Sequence, residues 1–275
     1  MQIKTGQVVV ITGAASGIGL ALAQLCAKRG LRVAMADVEE SPLAQQADLL
    51  AAAGAEVLAL NCDVRNRDAV ERVRDAVVAR FGRVDIVCNN AGVVLPFGPL
   101  WQTDPRDWEW ILDVNLRGVF NGIRTFVPLL VEQGSGHIVN TASMAGVAIV
   151  PGNGAYNATK HAVVSLTETL DADLRIADSP VGATVLCCGL VRTRILEARR
   201  DRPTAASAPV LVPNNALPAG GGRHLDPNLV AQLILEAIEQ QRLYLFTNPG
   251  SEQRIRARID RLLGDAVEDR IGQAR

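Results

Sequence analysis

A run of β-branched residues that leads into closely spaced glycines constrains the fold of this chain more than any other feature. Val8–Ile11 is apolar at every position, which is typical of a strand buried on both faces of a sheet. Thr12–Gly19 follows and holds three glycines, and Leu20–Arg29 then has apolar residues at helical spacing. A buried strand followed at once by a helix predicts a parallel sheet with helices packed on it.

The alternation of strand and helix patterns continues along most of the 275 residues. Trp108–Leu130 has the pattern of one long helix and Ala155–Ala177 that of another. We therefore predict an α/β fold in one domain over residues 1–275, a doubly wound parallel sheet of about seven strands with helices on both faces. The further predicted strands are Arg32–Ala36, Glu56–Leu60, Val84–Cys88, His137–Thr141, Thr184–Cys188 and Leu243–Thr247.

Two segments depart from this pattern. Residues 202–222 are rich in Ala, Pro and Gly and come shortly after a strand end, where ligands collect in such sheets. We predict a substrate lid at about 190–225, and the alternative interpretation is a disordered insertion. Residues 250–275 form a predicted helical tail, and its segment Glu252–Leu263 mixes acidic residues with arginines, as expected of a surface or interface helix.

Composition excludes several classes of function. The 28 basic and 29 acidic residues give a net charge of −1, so no nucleic-acid partner is expected. No apolar run is long enough to span a bilayer, and the first residues lack the pattern of a cleavable signal, so no membrane partner is expected. Five cysteines without a C-x-x-C pair indicate reduced thiols and predict a cytoplasmic protein. Neither His137 nor His161 lies in a cluster at metal-ligand spacing, so no metal is expected.

The glycine-rich turn is also a candidate nucleotide-phosphate site. Glycines permit a tight turn and a close approach of the backbone to a pyrophosphate, and the following helix start offers free N–H groups and a positive dipole end. The place between a strand and a helix is the context that this motif requires, and a plain glycine turn is the alternative. The phosphate-binding residues predicted in the turn are Gly13, Ser16, Gly17, Ile18 and Gly19.

Carboxylates at two strand ends predict how the rest of such a nucleotide is held. Asp37 ends the second strand, where a carboxylate accepts hydrogen bonds from ribose hydroxyls. Its charge, with Glu39 and Glu40 nearby, would repel a 2′-phosphate, so NAD is predicted rather than NADP. The alternative interpretation of Asp37 is an acidic surface residue at a strand end. Asp63 and Val64 follow the third strand, where the Asp63 side chain can hold an adenine amino group.

Tyr156 and Lys160 are four residues apart in a predicted helix and therefore share one of its faces. A phenol with a pKa of ~10 is a poor base at neutral pH, and a neighbouring ammonium is expected to lower that pKa towards the value that alcohol oxidation needs. Ser143 follows a strand and can hold the substrate oxygen. Taken singly, a tyrosine on a helix is more often packed in a core or an interface, a lysine is more often solvated, and a serine after a strand more often caps a turn. Together, behind a phosphate-binding turn, they predict a catalytic set.

These motifs, in this order and spacing, make the chain resemble the short-chain dehydrogenase/reductase family over about residues 5–247. Thr12–Gly19 matches its TGxxxGxG motif, and the pair Tyr156 and Lys160 matches its YxxxK. The resemblance implies a single-domain Rossmann fold and a homotetramer. The other matches are Asn89-Asn90-Ala91-Gly92 to its NNAG motif, Asn115 to its helix asparagine, Ser143 to its catalytic serine, and Gly189, Val191 and Thr193 to most of its PGxVxT segment.

The family implies a role for each matched residue. Tyr156 is implied as the general acid/base, and Lys160 as the residue that holds the nicotinamide ribose and lowers the tyrosine pKa. Ser143 is implied to orient and polarise the substrate oxygen, and Asn115 to hold a water that links Lys160 to solvent. The residues implied to line the cofactor are Asn90, Ala91 and Gly92, with Val191 and Thr193 fixing its carboxamide.

One residue departs from the family pattern. Cys188 stands where the family usually has proline, which would stiffen the chain as it leaves the strand, so a looser bend is expected here. The adjacent Cys187 and Cys188 also raise the alternative of a reactive thiol, against which buried structural thiols are the preferred interpretation.

The whole pattern predicts an NAD-dependent oxidoreductase that interconverts a secondary alcohol and a ketone, a small-molecule partner, and self-association as a homotetramer or homodimer. Mainly apolar residues are expected near the substrate, which favours a lipophilic aromatic, terpenoid or steroid-like compound; packing of the fold alone explains them equally well. Two other functions stay open: a 3-oxoacyl-[acyl-carrier-protein] reductase-like ketoreductase, which generally uses NADPH and is disfavoured by Asp37, and a non-catalytic nucleotide-binding sensor or scaffold. The apolar residues are Val93, Val94, Leu95, Phe97, Met144, Val147, Ile149, Leu190 and Ile195.

Overall fold

Seven parallel strands form one sheet in the computed structural model, which describes residues 1–195 and 224–264. The strand order is β3-β2-β1-β4-β5-β6-β7, so the chain winds outwards in both directions from the neighbours β1 and β4. This confirms the predicted doubly wound α/β sheet of the Rossmann type. The strands are β1 Val8–Thr12, β2 Arg32–Asp37, β3 Val57–Asn61, β4 Ile86–Asn89, β5 His137–Thr141, β6 Gly182–Cys187 and β7 Tyr244–Phe246.

Helices connect the strands and cover both faces of the sheet. Short 3₁₀ turns lie at Leu100–Gln102 and Met144–Gly146, and a π-turn lies at Asp113–Arg117. No helix within residues 1–195 and 224–264 is both long and apolar enough to cross a bilayer. The helices are α1 Gly17–Lys28, α2 Glu40–Ala52, α3 Arg67–Phe81, α4 Pro105–Leu112, α5 Gly118–Glu132, α6 Gly154–Ile176, α7 Pro227–Glu239 and α8 Ser251–Gly264.

The alternation of side chains along β1 explains why the sheet needs two helical layers. Val9 and Ile11 pack into a core with α1, α2 and α7. Val8 and Val10 pack into a second core with α3, α5 and α6 on the opposite face. All four side chains are fully buried. A strand with apolar residues at every position therefore has no face left for water.

The long helix predicted at Trp108–Leu130 is longer and less regular than its sequence pattern indicates. It begins at Pro105, behind Asp104, whose carboxylate accepts a hydrogen bond from the Arg106 N–H and so caps the first turn. The π-turn then divides it into α4 and α5, with Asn115 at its centre. Apolar periodicity does not reveal such an interruption, because the buried face stays continuous through it.

The predicted lid at about 190–225 falls largely on residues 196–223, which lie outside the described residues. Its two described ends are joined by the backbone: Arg192 N donates to Leu225 O and Leu225 N donates to Leu190 O, both at 2.9 Å. Arg192 also pairs with Asp226 at 2.5 Å. The predicted helical tail at 250–275 begins as α8, and its residues 265–275 lie outside the described part of the chain.

Buried amides tie the central strands to the helices behind them. Asn89 Nδ2 on β4 donates to Asn140 Oδ1 on β5 at 2.8 Å, and Asn140 Nδ2 donates to Thr167 Oγ1 on α6 at 3.1 Å. Gly122 on α5 lies directly against the Asn89 amide, so that a methyl group there would overlap Oδ1 and lie 2.6 Å from Cγ. The close approach of α5 to β4 therefore depends on this glycine.

Gly122→Ala tests this packing. The added methyl group must displace the Asn89 amide, so we expect a loss of about 3 kcal/mol in the free energy of unfolding, from overpacking and from the broken Asn89–Asn140 hydrogen bond. Urea unfolding followed by tryptophan fluorescence measures it. The control is Gly98→Ala, where a methyl group meets nothing within 4 Å, and a change within about 0.5 kcal/mol is expected. Equal stability of the two variants would contradict the proposed contact.

Candidate active site

The glycine-rich turn between β1 and α1 lies at the carboxyl edge of the sheet. Gly13 and Gly17 have φ of 67° and 58°, in the left-handed region that glycine favours. A methyl group on Gly19 would overlap the carbonyl oxygen of Gly13, so the helix can only begin this close to the turn with glycine there. Ser16 precedes α1 in an extended conformation and its side chain makes no capping hydrogen bond. The start of α1 therefore keeps the electrostatic character of an anion site.

The loop after β4 packs on this turn through Thr12, the first residue of the TGxxxGxG match, to which the sequence assigned no role. Thr12 Oγ1 accepts hydrogen bonds from the backbone N–H groups of Asn90 at 2.9 Å and Ala91 at 3.0 Å. Asn90 Nδ2 donates to the Thr12 carbonyl at 2.9 Å. A methyl group on Gly13 would lie 2.9 Å from Ala91 Cα. The matched motif includes this threonine, but no local pattern indicates its partners in the loop after β4.

Asp37, the predicted ribose-binding acid, lies beside the same turn. One carboxylate oxygen accepts from the N–H of Ala15 at 2.9 Å and the other from the N–H of Glu39 at 3.0 Å. Only 9% of the residue is exposed. Each carboxylate oxygen can accept a further hydrogen bond. The structure thus fixes a carboxylate at the end of β2, facing the turn that follows β1.

Asp63, predicted to hold an adenine amino group, is engaged with its own neighbour. Its carboxylate accepts from Arg65 Nε at 2.9 Å and from Arg65 Nη2 at 2.6 Å. Burial alone would raise the pKa of Asp63, but the hydrogen bonds and charge of Arg65 outweigh it and lower that pKa. Val64 is buried, and its carbonyl accepts from Asn121 Nδ2 at 2.8 Å. An adenine contact at Asp63 has to compete with Arg65.

Lys160 is buried on α6, with its charge held by a backbone group. Its side-chain ammonium donates to the carbonyl of Thr141 at 2.7 Å and lies 5.5 Å from the centre of the Tyr156 ring. The residue is 2% exposed. Burial lowers the pKa of Lys160 to about 8. The predicted pairing of Tyr156 with Lys160 on one helix face is therefore present, and the Thr141 carbonyl is a partner that no sequence motif indicates.

Tyr156 and Ser143 are brought together by the loop after β5. The Ser143 hydroxyl is close enough to the phenol to lower its pKa through a hydrogen-bonding interaction. Ser143 Oγ also accepts from the N–H of Ala145 at 3.1 Å and donates to the carbonyl of Cys188 at 3.3 Å. Burial of the phenol raises the pKa of Tyr156, the Cys188 thiol adds to this, and the hydrogen bond with Ser143 only partly opposes it. The net shift is therefore upward and not downward as expected, because desolvation is its largest cause.

Asn115, at the π-turn, anchors the loop after β4. Its Oδ1 accepts from the N–H of Val93 at 2.8 Å and its Nδ2 donates to the carbonyl of Val93 at 2.9 Å. A methyl group on Gly92 would lie 3.5 Å from both Asn115 Oδ1 and Lys160 Nζ. The structure therefore brings Gly92, Asn115 and Lys160 together, and the asparagine side chain is bonded to the Val93 backbone and, at 3.3 Å, to the Thr159 hydroxyl on α6.

The segment after β6 reaches over the glycine-rich turn. Val191 pairs with Leu225 as an isolated bridge. The Thr193 side chain lies against Gly17, where an added methyl group would meet Thr193 Cγ2 at 3.1 Å. Thr193 is therefore placed at the glycine-rich turn as well as near the end of β6. The glycines of the turn let Thr193 and the loop after β4 pack directly on it. A glycine-rich turn followed at once by a helix start fits the pyrophosphate of a dinucleotide.

The histidines and cysteines show no second chemical centre in the part of the chain that the structure describes. Within those residues, no group of three or more His, Cys, Asp or Glu side chains is placed to hold a metal ion. All five cysteines are free and buried. Burial raises the pKa of Cys187 to about 12 and also raises that of Cys188. Both thiols are therefore protonated near neutral pH, as expected of structural cysteines.

Buried Lys160 makes a pH-dependent contribution to stability. Because its pKa is lowered to about 8 in the folded protein and is ~10.4 in an unfolded chain, the protonated lysine destabilises the fold at neutral pH. This penalty fades as the pH rises towards about 10. Relative to Lys160→Met, the wild type should therefore gain on the order of 3 kcal/mol in the free energy of unfolding between pH 7 and pH 10.

Urea unfolding of both proteins across this pH range measures the gain. The control is Lys28→Met, which removes an exposed lysine at the end of α1 and should leave a constant difference from the wild type. A constant difference for Lys160→Met as well would contradict the burial of its charge.

Comparisons with known proteins agree with this fold. The model of the short chain dehydrogenase family matches residues 7–204. The CLA biosynthesis dehydrogenase/reductase of Lactiplantibacillus plantarum is 32% identical over 275 residues, which cover 96% of this chain and 95% of the relative. The 1-deoxy-11-beta-hydroxypentalenate dehydrogenase of Streptomyces exfoliatus is 38% identical over 253 residues, which cover 91% of this chain and 86% of the relative.

Among solved structures, a short chain dehydrogenase/reductase from Burkholderia phymatum in complex with NAD superposes with a TM-score of 0.89. It is 41% identical, and the match covers 97% of this chain and 98% of that one. Both the family model and these relatives extend over most of the chain, and they include the turn, the loop after β4 and the Tyr156–Lys160 pair. The chain belongs to the short-chain dehydrogenase/reductase family.

Proposed function

We propose that the protein is an NAD-dependent oxidoreductase that interconverts a secondary alcohol and a ketone by hydride transfer. The observation that carries this proposal is the buried ammonium of Lys160, which lies 5.5 Å from the centre of the Tyr156 ring, with Ser143 in the loop beside them. These three groups lie at the same edge of the sheet as the glycine-rich turn. A proton-transferring group at the same edge as a nucleotide site is what hydride transfer to a nicotinamide requires, and this supports the proposal.

In this proposal Tyr156 moves the proton. During oxidation its oxygen takes the proton of the substrate hydroxyl, and during reduction it returns a proton to the carbonyl oxygen. Ser143 holds the same substrate oxygen from the opposite side. When bound, the oxidised nicotinamide supplies the carbon that accepts the hydride and a positive charge beside the phenol. The hydroxyl of Tyr156, with its raised pKa, is a phenol in the protein alone, and is therefore set to donate in the reductive direction.

Lys160 and Asn115 support the tyrosine from behind. The lysine ammonium, held by the Thr141 carbonyl, is placed to bind ribose hydroxyls and to favour the phenolate. With a pKa of about 8, Lys160 gains or loses its charge close to neutral pH. The π-turn at Asn115 departs from regular helical hydrogen bonding. It suits the proposed role of Asn115 in holding a water that links Lys160 to solvent.

The cofactor proposal rests on the carboxylate of Asp37. It is fixed at the end of β2 by Ala15 and Glu39, where it can accept hydrogen bonds from ribose hydroxyls and repel a 2′-phosphate. The similar Burkholderia protein is described in complex with NAD. The residues that would hold the cofactor are Gly13, Ser16, Gly17, Ile18, Gly19, Asp37, Asp63, Val64, Asn90, Ala91, Gly92, Tyr156, Lys160, Val191 and Thr193.

The substrate proposal is a lipophilic secondary alcohol or ketone of the aromatic, terpenoid or steroid-like class. Val93 and Leu95 pack in one apolar cluster with Tyr156. Ile149 and Leu190 expose 59% and 38% of their surfaces. Exposed apolar side chains near a proton-transferring tyrosine favour a substrate without many hydroxyl groups. The Streptomyces relative is named as a dehydrogenase of a hydroxylated compound, which supports the direction of this proposal.

We also propose a cytoplasmic homotetramer or homodimer. Phe120 on α5 and Tyr244 and Phe246 on β7 expose 48%, 42% and 38% of their surfaces. Apolar side chains on an outer helix and on the edge strand of the sheet support association with further copies of the chain.

Tyr156→Phe tests the reaction. With 1-phenylethanol, 1-indanol, borneol and cyclohexanol as a panel and NAD as acceptor, we expect the wild type to oxidise at least one alcohol. Removal of the hydroxyl should lower kcat by about 100-fold or more, because no other group takes the proton. The affinity for NAD, measured by fluorescence quenching, should stay within about twofold. Acetoacetyl-coenzyme A with NADPH is assayed in parallel, as the substrate and cofactor of the alternative ketoreductase function.

The matched control is Tyr244→Phe, since Tyr244 is the only other tyrosine of the chain and its hydroxyl bonds to Glu168 at 2.6 Å. Its kcat should equal that of the wild type. Full turnover by Tyr156→Phe would end the proposed mechanism, and absence of turnover by the wild type on any panel member would favour a non-catalytic nucleotide-binding protein.

Asp37→Ala and Asp37→Asn test the cofactor. Both variants remove the negative charge, and the asparagine retains an oxygen that can accept from Ala15. The ratio of NAD to NADP affinity should fall by about tenfold or more in each, from weaker NAD binding and a lost repulsion of the 2′-phosphate. Asp48→Ala, at an exposed acid on α2, is the control. An unchanged ratio in both Asp37 variants would exclude this carboxylate as the determinant.

A further inference from the structure

The peptide group that joins Cys188 to Gly189 is hydrogen-bonded on both sides. Its carbonyl oxygen accepts from Ser143 Oγ at 3.3 Å and from the N–H of Met144 at 2.8 Å. Its N–H donates to Asn248 Oδ1 at 2.7 Å. One planar unit therefore lies between Ser143 of the candidate active site and Asn248, an asparagine near the carboxyl end of the chain.

Asn248 is itself held in place between β7 and α8. The hydroxyl of Thr247 donates to the same Oδ1 at 2.8 Å. The hydroxyl of Ser251 donates to the Asn248 backbone carbonyl at 2.6 Å. The acceptor oxygen that faces the Cys188–Gly189 peptide is therefore oriented by contacts outside the loop that it supports.

Gly189 makes this approach possible. A methyl group there would lie 2.6 Å from Asn248 Cγ and 2.7 Å from Oδ1. Neither residue of the peptide is proline, so no ring limits the rotation of the chain where it leaves β6. The orientation of the peptide then depends on its hydrogen bonds, and Asn248 supplies the bond on the side away from the active site.

We propose that Asn248 is a positioning residue for Ser143, acting through the Cys188–Gly189 peptide. A peptide group whose N–H is bonded to a good acceptor is polarised, which strengthens its carbonyl as an acceptor for Ser143. Loss of the Asn248 amide lets the peptide rotate, and the serine then loses its fixed partner. A small misplacement of a group that holds the reacting oxygen lowers the rate steeply. The kinetic part of this inference rests on the proposed oxidoreductase function.

The neighbouring cofactor segment has its own support. Leu190 and Arg192 are bonded to the backbone of Leu225 at 2.9 Å each. Val191 and Thr193 are therefore held independently of Asn248. We expect a change at Asn248 to act on turnover and to leave the affinity for NAD unchanged, which separates this role from a general loosening of the site.

Asn248→Ala and Asn248→Asp test the proposal with the alcohol of the panel that the wild type oxidises best. The alanine variant should lose about tenfold or more in kcat, with NAD affinity within about twofold of the wild type. The aspartate variant keeps an acceptor oxygen at the same place and should recover most of the loss. In a Ser143→Ala background, Asn248→Ala should lower kcat no further, since the residue acts through the serine.

Gln133→Ala is the matched control, because it removes a side-chain amide that also bonds to a backbone N–H, that of Val84, at the opposite edge of the sheet. It should lower the melting temperature and leave kcat unchanged. Wild-type kcat in Asn248→Ala, an equal loss in Gln133→Ala, or an undiminished effect in the Ser143→Ala background would each overturn the proposal.

Amide hydrogen exchange gives a readout that needs no substrate. In Asn248→Ala both the Gly189 and the Met144 N–H groups should exchange faster, because they bond to the two sides of one peptide; in Asn248→Asp both should stay protected. Unchanged exchange at Met144 in Asn248→Ala overturns the coupling. If the wild type oxidises no alcohol, the proposed function fails on that result, and the exchange at Met144 still decides whether Asn248 positions the Ser143 loop.

Discussion

The parallel direction of seven strands is the constraint on which the rest of the molecule depends. Because β1 and β4 are neighbours and the chain winds away from them on both sides, a crevice opens where their carboxyl ends meet. The turn after β1, the loop after β4, Ser143 after β5 and the Cys188–Gly189 peptide after β6 all fall on that edge. Residues far apart in sequence thus lie close together, although each of them stays in the loop between its own strand and the following helix.

Burial on this edge sets the chemistry of the ionisable groups. Lys160 has its ammonium against the Thr141 carbonyl, and removal from water lowers its pKa to about 8. The same removal from water raises the pKa of Tyr156. Both shifts favour the neutral form of the side chain. In the protein alone Tyr156 is therefore a phenol, and the ammonium of Lys160 loses its proton more readily than one in water. The buried lysine destabilises the fold but places a charge next to the tyrosine. Such a loss of stability is common at functional sites.

The sequence predicts those features that have a local pattern. The apolar run Val8–Ile11, the spacing of the glycines and the four-residue step from Tyr156 to Lys160 each indicate their own structure, and all agree with the fold. What it does not reveal depends on partners distant in sequence or on burial. The Thr12–Asn90 contact spans 78 residues, and the direction of the Tyr156 pKa shift requires knowledge of how deeply the phenol lies, which periodicity does not give.

The hydrogen bonds of Ser143 show how the proposed reaction can begin without leaving a buried group unsatisfied. A hydroxyl donates once and accepts twice. Ser143 donates to the Cys188 carbonyl and accepts from the N–H of Ala145, so its oxygen can accept from one further donor. The bond to the Cys188 carbonyl is long at 3.3 Å, and the hydroxyl can turn from it towards a substrate oxygen. The carbonyl then keeps the N–H of Met144 at 2.8 Å. The Cys188–Gly189 peptide therefore holds the loop that carries Ser143 through Met144, while the serine exchanges one hydrogen bond for another.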